Sequence, residues 1–419
     1  MSCPANEPPI YIETLEDLEA IAATLSTEKQ VAVDMESDSF YVYHDKVCLL
    51  QLSSSTEDIV IDPLAVKDLS PLGPMFRDPS VEKIFHAGDY DIACLKRDYG
   101  FEVRNLFDTM AAARVLASPK LGLAGLIEKY FGVVLSKKLQ RANWGLRPLG
   151  DDHIEYARND TRYLHKLREI LWGELEVKNL LRHAQDEFRR LEATPAAEKV
   201  FNPDAWWNLP GARDLDPRRR AVLKRLWIFR EKQSASMDKA PFRVMPEDLL
   251  VRIAEARVQE VDDLRRVRGM SPYLFRRFGR ELVAETSAAD NDPALESAPE
   301  RPRGERWDSE SMRRYEALRA WRKDRAAAQG VDPVVILPTE DLRRLSAAPR
   351  ENPDKEHWLD CLTAFKREEY GGELLGVLDR PGPAAPAGGK KRRRRGGRGR
   401  RRSGEGGVAA HDGGQPAQG

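Results

Sequence analysis

Three short acidic islands carry the residue types that could do chemistry: Asp34 with Glu36, then Asp91, then Asp160 with Tyr156 one helical turn before it. Asp34 and Glu36 lie in Val31-Ala-Val-Asp34-Met-Glu36, an apolar run that predicts a strand through the centre of a sheet. Residues two apart on a strand share a face, so the two carboxylates project together. Side by side they repel, and burying either is costly unless something neutralises it. A divalent cation does so, and an all-oxygen donor set suits Mg²⁺ or Mn²⁺. Tyr156 and Asp160 stand at i and i+4 and share one face of a predicted helix, whose apolar stripe continues through Leu164 and Leu167. Between these islands, Lys83-Ile-Phe-His86-Ala-Gly-Asp89-Tyr-Asp91-Ile-Ala-Cys-Leu95 reads as a short strand, a turn at Gly88 and a helix. Asp91 falls in that helix's first turn, where the helix dipole favours a carboxylate.

Each island alone has a bland reading: a solvent-facing Asp-x-Glu, a helix-start aspartate, a chance Tyr/Asp pair. Their order, and their strand, strand-to-helix and helix settings, set the combination apart. Together they resemble the DEDD superfamily of 3′–5′ exonucleases, in the subclass with a tyrosine in the last motif. Asp34-Met-Glu36-Ser37 resembles its first motif, His86-Ala-Gly-x-x-Asp91-Ile-x-x-Leu95 the second, and Tyr156-Ala-Arg-Asn-Asp160 the third. Val47-Cys-Leu-Leu-Gln51-Leu is similar to the second strand of that family, and Phe107-Asp108-Thr109 to its "FDT" step. Lys138-Leu-Gln140-Arg-Ala-Asn143-Trp144-Gly-Leu-Arg147-Pro148-Leu149 is similar to the segment leading into the third motif, although Asn143 stands where the family usually has Asp.

The resemblance implies metal-assisted hydrolysis at a free 3′ end with two divalent ions, Mg²⁺ or Mn²⁺. It implies that Asp34, Glu36 and Asp160 hold the metal beside the attacking water. Asp34 would bridge to the second ion and Asp91 would support that ion through water. Tyr156 would orient the nucleophile, and a nucleoside 5′-monophosphate would leave. Met35, His86 and Trp144 are expected on the substrate side, although His86 reads equally well as a packed strand-end residue.

The elements that must position these groups alternate strand and helix up to residue 208. Ile10-Tyr-Ile is a short strand, Thr14 a candidate helix cap, and Leu15, Leu18, Ile21, Ala22 and Leu25 keep helical spacing. Val31–Glu36, Val47–Ser53 and Asp58–Ile61 predict an antiparallel meander, and strand–helix units follow at Lys83–His86 and Asn105–Phe107. The expected fold is an α/β ribonuclease H-like domain over 1–208, with the acidic strand central and helices on both faces.

Beyond it the pattern is helical, in two distant copies. Each has a Trp-bearing helix, with Trp227 or Trp321, and an extended stretch with Pro246 or Pro338 shortly before an acidic helix. Both resemble HRDC domains, all-α modules shared by the ribonuclease D family and RecQ-type helicases. They are placed at 212–286 and 307–380, joined by a 287–306 linker. The alternative is one continuous helical domain.

Length and composition set the remaining bounds. The 419 residues leave room for two or three domains. Lys+Arg and Asp+Glu balance at 68 each, yet ten of the positive charges fall between Lys390 and Arg402, so the rest is net acidic. The tail 381–419, rich in Pro, Ala, Arg and Gly, cannot bury a core and is expected to be disordered. Its Arg392, Arg393, Arg394 and Arg395 are expected to neutralise phosphates without reading sequence. Cys3, Cys48, Cys94 and Cys361 form no Cys-x-x-Cys pair, which excludes a sequence-legible zinc or disulfide framework. No apolar run is long enough for a bilayer, and a cytoplasmic protein without a membrane partner is expected. The expected substrates are RNA 3′ ends, of transfer RNA precursors and other stable RNAs. A DNA exonuclease acting on single strands in repair, or a non-catalytic RNA-binding scaffold, are the rival readings. The sequence leaves the oligomeric state open, with a monomer preferred.

Overall fold

The computed structural model describes residues 8–297, 308–347 and 356–379. The expected basic tail with Arg392–Arg395, and Cys3, lie outside them.

Six strands form one mixed sheet: β1 (Ile10–Ile12), β2 (Gln30–Ser37), β3 (Val47–Ser53), β4 (Asp58–Ile61), β5 (Glu82–Phe85) and β6 (Leu106–Asp108), in the order β1-β4-β3-β2-β5-β6. β2, β3 and β4 form the expected antiparallel meander, while β5 and β6 add to β2 in parallel. The acidic strand is therefore interior, with β3 on one side and β5 on the other. Val31, Val33 and Met35 of β2 point into the core, so alternation turns Asp34 and Glu36 to the opposite face. The register with β3 shifts between Glu36 and Ser37, immediately after the second acid. An irregularity of this kind ends regular pairing and re-aims the strand end.

Local chemistry explains the flanking elements. Thr14 accepts a hydrogen bond from the Asp17 N–H at 3.2 Å and caps the Leu15–Leu25 helix, whose Leu18, Ala22 and Leu25 are buried. The Asp151–Thr161 helix packs on β2, β3 and β4, and the Leu164–Val177 helix on β2 and β5.

After residue 204 the chain is helical, and the two copies share one local device. In the first copy Met245 is extended (φ −154°) between a short Pro241–Val244 helix and the Glu247–Ala256 helix. In the second copy Leu337 takes the same place (φ −153°) between Pro333–Ile336 and Thr339–Ala347. Arg230, from the long Pro217–Met237 helix, donates to the Met245 carbonyl at 3.3 Å. Arg322, from Ser309–Gln329, donates to that of Leu337 at 2.9 Å. A buried carbonyl that must leave helix geometry before a proline needs a donor, and each copy supplies it from the same helix.

The first copy has its own core around Trp206, Leu226, Phe229, Leu250, Ile253 and Phe278. The core of the second copy, with Leu318, Leu342, Tyr370 and Leu374, is continuous with that of the sheet domain. Residue 287, expected to open a linker, still belongs to the Pro272–Ala288 helix. The chain then stays on the first copy: Arg225 forms two hydrogen bonds to Asp292, at 2.6 and 3.0 Å, and the Leu295 N–H bonds Pro217. Local ion pairing there outweighs the loop-forming composition. Among the described residues no helix is long and apolar enough to cross a membrane.

Candidate active site

Strand alternation places Asp34 and Glu36 on the face of β2 covered by the Asp151–Thr161 helix, which carries Tyr156 and Asp160. Asp91 arrives from the next parallel unit, at the third residue of the Asp89–Tyr99 helix after β5. The acids feel one another. Burial, and then the charges of Asp34, Asp160 and Asp91, push the Glu36 carboxyl well above the usual range. Burial and then Asp34 do the same to Asp160. Asp91, 9% exposed, is raised by burial, then by Asp34, Asp108, Asp89 and Asp160. Asp34 is pushed up to about 7 by burial, partly offset by a hydrogen bond from the Met35 backbone.

Among the described residues none of the four acids has an ion-pair partner, and no three His, Cys, Asp or Glu side chains close into a preformed metal-ligand group. The acids therefore share a region by their mutual field, without preset ligand geometry. A donor set of desolvated, mutually destabilising carboxylates fits a divalent cation, which would return each to its ionised form. Among the described residues no cationic side chain fills that role.

Tyr156 completes the cluster. Burial, then Asp160, Glu36 and Asp34, push its phenol above the usual range. A cavity of about 260 Å³ opens beside it and Asp160, walled by Leu135, Ser136, Lys138, Leu139 and Asn159 among others.

A supporting layer fixes the Asp91 turn. Asp108 is fully buried and accepts from the Gly88 N–H at 2.9 Å and from the Ala111 N–H at 2.7 Å. Thr109 donates to the Phe85 carbonyl at 3.1 Å. Its single proton is thereby used, so its oxygen accepts from His86 Nδ1 at 2.9 Å and the His86 tautomer is set. Burial lowers the His86 pKa to about 4, keeping the ring neutral. Ala87, between them, sits at φ +59°, in the sparsely populated left-handed region. Asp108 and Thr109 had been legible only as a resemblance to the family's "FDT" step, with no role attached.

Two expected substrate-side residues are placed elsewhere. Met35 is 6% exposed with its side chain in the core, because alternation opposes it to Asp34 and Glu36. Trp144 is 1% exposed, with its ring 5.9 Å from that of Tyr156 and edge-on to His153 at 5.5 Å. It braces the tyrosine from behind and offers no face to a ligand. Asn143, where the family usually has Asp, turns its own loop: its side-chain oxygen accepts from the Gly145 N–H at 3.3 Å.

Comparison with known proteins agrees with this geometry. Residues 9–176 match the 3′–5′ exonuclease family, and residues 219–286 and 311–378 each match the HRDC domain. Ribonuclease D of Acidiphilium cryptum is 30% identical over 378 residues, covering 89% of this chain and 93% of the relative. The chain belongs to the ribonuclease D family. The crystal structure of Escherichia coli RNase D, described as an exoribonuclease involved in structured RNA processing, has a TM-score of 0.62 at 26% identity. That match covers 89% of this chain and 99% of the other. The yeast exosome complex exonuclease RRP6 is 32% identical over 58% of this chain, but the chain spans only 35% of it. For the exosome complex component 10 homolog of Caenorhabditis elegans the share is 31%. The ribonuclease D arrangement, nuclease domain then tandem HRDC modules, is thus matched nearly end to end, whereas the exosome relatives extend well beyond it. Exonucleases of the DEDD class depend on divalent metal, in agreement with the donor set described above.

Proposed function

We propose that this chain is a 3′–5′ exoribonuclease that trims the 3′ ends of transfer RNA precursors and other structured RNAs, releasing nucleoside 5′-monophosphates. The observation that carries this reading is the convergence of Asp34, Glu36, Asp91 and Asp160 into one mutually destabilising carboxylate cluster beside Tyr156. The near end-to-end match to ribonuclease D supports RNA over DNA.

Asp34, Glu36, Asp91 and Asp160 would hold the divalent ions, Mg²⁺ or Mn²⁺, two in the reading proposed here. Bound metal supplies charge neutralisation at the phosphate and lowers the pKa of water toward neutrality. The remaining work falls to the protein. The Tyr156 hydroxyl, one helical turn before Asp160, orients the attacking water by hydrogen bonding. Trp144 holds the Tyr156 ring, and Asp108 and Thr109 hold the turn that aims Asp91. His86, neutral and hydrogen-bonded to Thr109, is a substrate-side group only through its other ring nitrogen. The basic run Lys390–Arg402 adds sequence-blind affinity for the RNA backbone. The protein is proposed to work in the cytoplasm, as a monomer.

The test incubates the purified chain with 3′-extended transfer RNA and a matched single-stranded DNA, with Mg²⁺, Mn²⁺ or EDTA, beside Asp34→Asn. Stepwise, metal-dependent shortening of the RNA is expected, abolished in the mutant. Preferential loss of the DNA would move the function to repair. Binding without shortening would leave a scaffold.

A further inference from the structure

The loop that follows the first acidic motif is built jointly with the first HRDC module. Tyr43 and His44 donate their backbone N–H groups to Asp238 Oδ1 at 3.1 and 2.9 Å, and the Tyr43 hydroxyl donates to Glu231. The Ala240 N–H donates to the Tyr41 carbonyl at 3.2 Å, and Arg243 Nε to the Phe40 carbonyl. The same loop reaches the segment before the third motif, where the Tyr41 hydroxyl donates to the Arg141 carbonyl at 2.9 Å. Three segments far apart in sequence are thereby tied together. One is four residues beyond Glu36, another three residues before Trp144, and the third belongs to the HRDC module.

At this junction two aromatic rings face solvent: Phe40 is 43% exposed and Phe242 50%. Two exposed arginines accompany them. The Arg141 guanidinium lies 5.8 Å from the Phe40 ring centre, and that of Arg243 lies 3.8 Å from the Tyr41 ring and 5.7 Å from Phe242. Among the described residues neither arginine has a carboxylate partner. The nearby acids are committed, Asp238 to Tyr43 and His44, and Glu231 to Tyr43. A single exposed phenylalanine on a soluble protein means little. Two of them, from different modules, converging with two unneutralised guanidinium groups beside the catalytic strand, form the surface that unpaired nucleic acid requires. Aromatic faces stack bases of any sequence and arginines meet the phosphates between them.

We propose that Phe40, Tyr41, Arg141, Phe242 and Arg243 form a stacking rim that holds the unpaired RNA just upstream of the scissile bond, with the first HRDC module supplying one half of it. The inference rests on the ribonuclease reading and deepens it, because it gives the HRDC module a direct part in binding the substrate. A dinucleotide spans only the scissile bond and has no base to place on the rim, whereas a ten-nucleotide unpaired RNA does.

The test uses the full chain with Mg²⁺ and compares wild type with the Phe40→Ala/Phe242→Ala double variant. The readout is the ratio of kcat/KM on the ten-nucleotide RNA to that on the dinucleotide. It is expected to fall about tenfold or more, given the usual strength of base–aromatic stacking. The conservative Phe40→Tyr/Phe242→Tyr pair should restore it. An unchanged ratio, or equal losses on both substrates, overturns the rim. Fluorescence anisotropy of the labelled ten-nucleotide RNA, measured in the Asp34→Asn background, separates this proposal from the functional reading. If wild type shortens no RNA, weaker binding by the double variant still supports the rim, and equal binding overturns it.

Discussion

Asp108 accepts a hydrogen bond from the Gly88 backbone N–H at 2.9 Å, and this contact ties the start of one helix to the turn that aims Asp91. The turn has no slack. A Cβ added at Gly88 would lie 2.7 Å from the Phe85 side chain, itself fully buried. Gly88→Ala is therefore expected to destabilise the fold by about 1–3 kcal/mol, the usual cost of forcing atoms into a packed region. Because the displaced turn carries Asp91, hydrolysis should fall by more than the lost stability explains. Thermal melts beside rates at a temperature where both proteins are folded would check this. Full activity at a lowered Tm would mean that the turn does not set the Asp91 position.

Tyr156→Phe keeps the ring that Trp144 packs against and removes only the hydroxyl. If that hydroxyl orients the attacking water, kcat should fall about 10²-fold or more, as for other positioned proton-handling groups. KM and the Mg²⁺ concentration for half-maximal rate should stay within a small factor. A proportional rise in KM with kcat unchanged would reassign Tyr156 to substrate binding.

Lys366, from the last helix of the second HRDC module, is 1% exposed and lies 3.0 Å from Asp186 and 3.4 Å from Glu187 of the nuclease domain. Lys366→Met would leave Asp186 buried without a cation and Glu187 with only the half-exposed Arg190 at 3.0 Å, at a cost of about 3–5 kcal/mol. Combining it with Asp186→Asn and Glu187→Gln should recover much of that loss, since no buried carboxylate is then left without Lys366 and the one cation remaining, Arg190, is half-exposed to water. Denaturant titration of the single and triple variants would decide. Equal destabilisation by both would show that packing, not charge, holds this interface.

His86 gives the protein a calculable response to acid. Its folded pKa is depressed to about 4, while an unfolded histidine titrates near its ordinary value of 6.5. Between these values the unfolded chain binds the extra proton, so the His86 contribution to stability is complete above pH 6.5 and is lost as pH falls toward 4. His86→Gln should flatten that part of the profile. Because burial raises the four acids, their contributions run the other way, and only the difference between wild type and variant isolates the histidine. Parallel profiles from pH 7 to 4.5 would show that the ring is not held neutral.

Much of the site was legible because it rests on short-range geometry. Alternation put Asp34 and Glu36 on one face, helical spacing paired Tyr156 with Asp160, and Thr14 marked a helix start. Alternation also turns Met35 away from the site, a consequence masked by its place inside the motif. Trp144 and Lys366 lay beyond reach because their burial is settled by elements distant in sequence. Lys83 is the clearest case. A lysine within a strand suggests exposure, yet this one is fully buried, donating to the carbonyls of Met75, Asp78 and Val81 at 3.3, 2.7 and 2.6 Å. Its pKa falls to about 8 through burial. No local pattern announces a lysine that ends a helix and a loop at once.

The charge run Lys390–Arg402 supports a last prediction, drawn from electrostatics alone. Ten positive charges lie within thirteen residues of a chain whose net charge is zero, so the remainder of the protein is acidic enough to repel RNA. Binding of a polyanion should then depend on the tail for its long-range attraction and on the folded part for the 3′ end. Each phosphate neutralised releases condensed counterions, which steepens the fall of log Kd-derived affinity with log salt by about 0.7 per contact on a single strand. A chain ending at Asp379 should bind unpaired RNA more weakly than the full chain at low salt, with a visibly shallower salt slope. The two should converge as salt rises, because what remains is the stacking and the few phosphate contacts of the folded part, which both chains share. Anisotropy titrations of both chains in the Asp34→Asn background, across a salt series, measure this directly. Coincident slopes would mean that the basic run does not touch the RNA backbone.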